Sequence, residues 1–113
     1  MAVSYVGAGT RSFAANGATS PGLPAGLQSG DLLVLMDCVV SWAGTANTPG
    51  TPSGWTQKAT SARASNGRLT WMYARYLSGM AAPTVTYSGS AQDVHYSRIF
   101  AFRGVVGSGD PTD

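Results

Sequence analysis

His95 is the sole histidine of the sequence, and Asp93 and Ser97 stand two residues to either side of it. Residues two apart on a strand point the same way, so the three side chains could share one face. An acid, an imidazole and a hydroxyl are the parts of a nucleophilic relay, in which the imidazole takes the hydroxyl proton and the acid orients the ring. Same-face neighbours do not form such a relay by themselves. No nucleophile-elbow or oxyanion motif accompanies them. The sequence therefore predicts a rim or surface histidine, and no catalytic residue is assigned.

Other chemistry is short of parts. A zinc site needs three or four Cys, His or carboxylate ligands, and the chain has one Cys and one His. Calcium needs clustered oxygen ligands, and Asp110 and Asp113 are too few. A glycosidase pair would fall to Asp37 and Asp93, the only internal candidates, which is a weak basis. Gly7-Ala8-Gly9 lacks the Lys-Ser/Thr and helix of a phosphate loop. No metal and no cofactor is expected. Asp37 interrupts an apolar run, so it should point outward or meet a cation. Arg75 and Arg98 each interrupt an apolar face of their own strand, which makes them the expected partners in a structural ion pair.

Cys38 sits in the same apolar run and is expected to be a small buried hydrophobe. A single cysteine excludes an internal disulfide. Trp42, Trp55 and Trp71, with five tyrosines, could form a sugar-stacking platform or serve as core and interface anchors. Trp71, in mid-strand, is expected in the core. Trp55 is expected to cap one end of the fold. Trp42, at the start of a loop, is the best exposed candidate.

These residues must be positioned by strands. Gly30-Asp31 is a turn signal, and Leu32 to Val40 follows as the longest apolar block. Leu32, Val34, Met36, Cys38 and Val40 share one face; Leu33, Leu35, Asp37 and Val39 share the other. A strand apolar on both faces belongs in the middle of a sheet or between two layers. Short strands are also expected near Ala2–Gly7, Arg11–Ala15, Trp55–Ala62, Arg68–Leu77, Thr84–Ser88 and Val94–Val105. Asn66-Gly67 marks a hairpin between the fourth and fifth of the seven in chain order. Leu23 and Leu27 are the only large apolar residues between Ala18 and Gly30, and should pin that loop to the core rim. No helical period is convincing. The expected fold is an all-β antiparallel sandwich of about seven strands, Ig-like or jelly-roll in type, spanning residues 1–106 as one domain with a flexible tail at 107–113.

Composition narrows the function class. The chain has 113 residues, 15 of them glycine, and no glutamate. Charged residues make up 11%, against roughly 25% in an average soluble domain. So little charge suits a surface occupied by neighbours in an assembly, or an extracellular domain. A net charge of +2, with arginines spread along the chain, gives no basic stripe for nucleic acid. The N-terminus reads as no signal peptide, and no run is long enough to span a membrane. The expectation is a protein made and assembled in a cytoplasm.

The order of motifs adds a resemblance. Pro24-Ala25-Gly26, Ser29-Gly30-Asp31-Leu32-Leu33, Pro52-Ser53-Gly54-Trp55-Thr56, Trp71-Met72-Tyr73-Ala74-Arg75 and Ile99-Phe100-Ala101-Phe102-Arg103-Gly104-Val105 follow one another between about Gly22 and Val105. This order is similar to a β-sandwich domain that recurs in tailed-bacteriophage virion proteins, namely head decoration proteins, fibres and tail-associated proteins. The resemblance implies a non-enzymatic virion component. The first expectation is a capsid decoration (cement) protein bound to the major capsid protein or other virion proteins, as a homo-oligomer, for instance a trimer. A tail or fibre component is the alternative, and a glycan-binding module for host surfaces the next. Trp42, Leu23, Leu27 and Trp55 are the candidate contact residues, with the loops Ala18–Ser29 and Ala43–Gly54 and the N-terminal segment as contact surfaces. Domains of this kind often continue past the Arg-Gly-Val strand, whereas this chain stops within ten residues. Either the sandwich is compact or another subunit completes it.

Overall fold

The apolar block forms the central lane of a single antiparallel sheet in the computed structural model, which describes residues 2–42, 44–63, 66–89 and 92–111. The strands are β1 (Ser4–Ala8), β2 (Ser12–Ala14), β3 (Leu32–Val40), β4 (Thr56–Arg63), β5 (Gly67–Arg75) and β6 (Val94–Arg103). The order across the sheet is β1-β6-β3-β5-β4, with β2 also on β6. Among the described residues there is no helix.

The edge lane is shared. Ser4 pairs with Arg103 and Ala8 with Phe100; Ser12 then pairs with Ser97 and Ala14 with His95. β1 and β2 thus run in line along β6, with the interruption at Gly9 to Arg11. Gly9 is required there. A Cβ on it would lie 1.8 Å from the Gly22 carbonyl oxygen, and the Gly22 N–H donates to the Thr10 carbonyl at 2.9 Å. The loop backbone is therefore laid directly on the edge strand.

β4 and β5 form the hairpin expected around Asn66-Gly67, paired from Thr56–Tyr73 to Arg63–Gly67. Gly67 opens the return strand rather than sitting in the turn. Ala64 and Ser65 lie outside the described residues. Upstream of β4, the Trp55 N–H donates to the Pro52 carbonyl at 3.1 Å, with Gly54 at φ +84°. A turn with positive φ at its third residue needs glycine, which explains Pro52-Ser53-Gly54-Trp55 as a turn motif.

The sheet has one closed face. Leu33, Leu35, Met72, Ile99 and Ala101 are fully buried on it, and Ala74 nearly so. Loops rather than a second regular sheet cover them. Thr19 bridges to Val85 and Pro49 to Tyr87, and Trp55, Val85, Leu23, Leu27 and Met80 pack onto the same cluster. The strand expected at Thr84–Ser88 exists only as these two isolated bridges.

The central strand, whose two apolar faces read as both buried, is closed on one face only. Its core face is the set containing the acid: Leu33, Leu35, Asp37 and Val39 are all inaccessible. Of the uniformly apolar set on the other face, Leu32 is buried and Val34, Met36, Cys38 and Val40 are half-buried. Trp71 joins that second face rather than the core. The reason is the cover. Asp37 meets His95 and Ser97 of β6, and the loops bring Thr19 and the Gly17 carbonyl to those two, so the face with polar groups is the one they close.

Candidate functional site

Two features could carry function: a buried polar string on the closed face and a broad apolar surface on the open one.

The buried string begins with register. Asp37 on β3 lies opposite Ser97 on β6 and Thr70 on β5, and His95 lies two pairs along, opposite Val39. Diagonal neighbours on one face are within reach of long side chains. His95 Nε2 lies 2.7 Å from Asp37 Oδ2, and the Ser97 hydroxyl donates to the same oxygen at 2.5 Å. Ser97 has one proton and gives it to Asp37. The Thr19 hydroxyl, 2.6 Å from Ser97 Oγ, is therefore the donor in their bond. His95 Nδ1 lies 2.7 Å from the Gly17 carbonyl, which can only accept, so Nδ1 carries a proton. Tyr87 closes the ring from its edge at 5.3 Å, and its hydroxyl donates to Asn16 and accepts from the Gly17 N–H.

Burial pushes the His95 pKa down, but the bond to Asp37, the Gly17 carbonyl and the carboxylate charge outweigh it, and the net shift is upward. The bond between Nε2 and Oδ2 holds one proton between the two side chains. Asp37 Oδ1, also buried, has no hydrogen-bond partner among the described residues.

This geometry corrects three expectations. His95 is fully buried, not on the rim. Asp93 is exposed and accepts from the Trp42 N–H at 2.7 Å, so it does not join His95. Asp37 pairs with His95, not with Arg75 or Arg98. Arg98 lies opposite Met36 and Arg75 opposite Leu32, both on the other face of the sheet. Chemically the string is a tie, not a relay. Ser97 and His95 each bond the same carboxylate oxygen, so the hydroxyl faces an acceptor already engaged, and neither side chain meets solvent. Its sequence signal was parity: Thr70, His95 and Ser97 alternate with the aromatic positions of their strands, and Asp37 with Met36 and Cys38. Among the described residues no three His, Cys, Asp or Glu side chains are grouped to hold a metal.

A second tie closes the end of the sheet. Arg103 donates from Nε to Asp31 Oδ1 at 2.9 Å and from Nη2 to Oδ2 at 2.7 Å, and also reaches the Gly26 carbonyl. The hydrogen bonds from Arg103 hold the Asp31 carboxyl below its ordinary range. Asp31 and Arg103 thus anchor the loop before β3 to the end of β6. Two motifs of the resemblance, Ser29-Gly30-Asp31 and Arg103-Gly104-Val105, contain its members.

The open face is the larger feature. Tyr5, Phe13, Leu69, Trp71, Tyr73, Tyr96, Phe100 and Phe102 share it with Val34, Met36, Cys38 and Val40, by strand register. Tyr5 is 60% exposed, Phe13 63% and Leu69 47%; the inner members are half-buried by one another. The Tyr5 and Phe102 rings tilt together at 5.7 Å. A hollow of about 390 Å³ opens between Cys38, Val40, Ser61, Gly67, Arg68 and Leu69. The cations here are engaged. Arg98 donates from Nε to the Gly9 carbonyl and lies over the Phe100 ring, while Arg75 Nη2 reaches the Gly109 carbonyl. Burial and the nearby Asp37 charge push the Cys38 thiol pKa up, which keeps it protonated.

The expected contact residues divide. Trp42 is 70% exposed; Trp55, at 7%, belongs to the core. Leu23 and Leu27 are partly buried against the same core. The loops expected to face partners also close the chain's own sheet: Thr19, Pro21, Ala46 and Pro49 are buried, while Ala25, Gln28, Thr45 and Thr48 are exposed; Ala43 lies outside the described residues. The open aromatic face was missed because a strand apolar on both sides reads as buried on both.

Neither the protein-family models, nor the curated proteins, nor the solved structures contain a match to this chain.

Proposed function

We propose that the chain is a structural component of a tailed-phage virion that acts by protein–protein contact, in the first place as a capsid decoration protein. The observation that carries the contact reading is the open face. Monomers rarely expose a contiguous apolar patch of this extent unless something docks there. Its composition is that of an interface core: Tyr, Trp, Phe, Met and Arg, with no carboxylate rising from its strands. The order of motifs and the scarcity of charge support the virion setting. The buried His95–Asp37–Ser97 tie supports a non-enzymatic role, since its hydroxyl is spent on a carboxylate. The architecture is read as a sandwich whose second layer is reduced to loops, the Thr19–Val85 and Pro49–Tyr87 bridges standing for its strands.

Decoration would be mechanical. Many copies, each of modest affinity, add up over a shell. The test is binding of the purified protein to phage particles that lack it, followed by cryo-imaging. Regular density over the head is the expected result; density only at the tail moves the protein to the tail or fibre, and no binding removes the virion reading. Trp42, exposed just past the end of β3, favours a second reading, a stacking contact to host glycans. Tryptophan fluorescence across a glycan panel checks it, and a silent panel removes it.

A further inference from the structure

We infer that the open face is covered by a second copy of the same chain, the two sheets packing face to face about a two-fold axis. This deepens the contact reading above and rests on it.

Extent comes first. The sheet has five lanes, and its central strand has nine residues. At about 4.8 Å per lane and about 3.3 Å per residue its footprint is about 24 by 30 Å, or about 700 Å² per copy. A specific protein interface buries about 800 Å² per partner. The face is thus of the size one copy of itself would cover.

Charge selects the occupant. A partner of opposite charge would need free charges to read. Arg98 is bound to the Gly9 carbonyl and the Phe100 ring, Arg75 to the Gly109 carbonyl, and the strands present no carboxylate here. The middle of the face is apolar around one cation, Arg98, which is held on its own Gly9 carbonyl and Phe100 ring. Met36 is the fifth of the nine residues of the third of five lanes, flanked in register by Trp71 and Arg98. A two-fold axis on the Trp71 side of Met36 sets the aromatic and aliphatic side chains of one copy on those of the other, with each Arg98 kept on its own Gly9 carbonyl and Phe100 ring. Sheets of like twist stack in this way at about 10 Å. A flat face offers a single self-complementary patch, which closes as a dimer and not as a cyclic trimer.

Met36→Lys places an unpaired cation at the centre of that contact while leaving the closed face untouched. The full chain, 11.6 kDa, is sedimented at equilibrium alongside the variant, and Cys38 in each is titrated with a thiol reagent. The expected wild type has twice the chain mass, with Cys38 reacting about tenfold more slowly than in a monomeric Met36→Lys protein. A wild type of single-chain mass overturns the inference, as does any oligomer in which Cys38 reacts as fast as in the monomer. Should the variant fail to fold, dilution of the wild type serves: Cys38 must become more reactive as the dimer dissociates, and constant reactivity overturns the inference. A monomer that still binds phage particles removes only the dimer. A dimer that binds none keeps the dimer and removes the virion reading.

Discussion

His95 Nε2 and Asp37 Oδ2 lie 2.7 Å apart with neither side chain exposed, on adjacent strands and 58 residues apart in sequence. Removing one member of a buried ionisable pair leaves the other buried without its partner, at a cost of about 3–5 kcal/mol. Asp37→Ala is expected to lose that much in urea unfolding. Ser97→Ala removes one donor and is expected to cost about 1–3 kcal/mol. An Asp37→Ala protein as stable as the parent would show that the string does not hold the loops to the sheet.

The same pair sets an alkaline limit. The folded state raises the His95 pKa above its ordinary value of 6.5. At pH values between the unfolded and folded pKa the native state binds a proton that the unfolded chain has released. Stability therefore falls as pH rises there. The contribution is complete below about pH 6.5 and lost as pH passes through the folded value. Asp37, Ser97, Tyr87 and the Gly17 carbonyl surround the ring. Urea midpoints measured from pH 5.5 upward are expected to decline in the parent and to flatten in His95→Gln. A parallel decline in both would assign the effect to another group.

The acid limit belongs to Asp31. Its pKa is lowered from 3.8, chiefly by the Arg103 hydrogen bonds, so its contribution is present above about pH 4 and lost as pH falls through the folded value. Asp31→Asn is expected to lower the melting temperature at pH 7 and to be less sensitive to acid than the parent. Equal acid sensitivity in both would place the acid-labile group elsewhere.

The two faces of the sheet give a matched comparison. Leu35 is fully buried on the closed face and Leu69 is 47% exposed on the open one. Leu35→Ala is expected to cost about 2–5 kcal/mol through lost burial and a cavity. Leu69→Ala, measured on the monomer, is expected to cost about 1 kcal/mol or less. Equal losses would mean that both faces are core.

Much of the fold was legible because it is local. The period of two in Leu32–Val40, the hairpin through Asn66-Gly67 and the turn Pro52–Trp55 each depend on a few neighbouring residues, and each stands in the structure. The sequence by itself thus determined an all-β chain with β3 as an inner strand. Only the tertiary structure decided which side of that strand is core. Both sides are apolar enough to be buried, and the choice fell to loops more than ten residues away that bring Thr19 and the Gly17 carbonyl over Asp37, Ser97 and His95. That choice also settled the partner of Asp37, because strand parity sends Arg75 and Arg98 to the opposite face. Alternation says which residues share a side; the packing of distant segments says which side is closed.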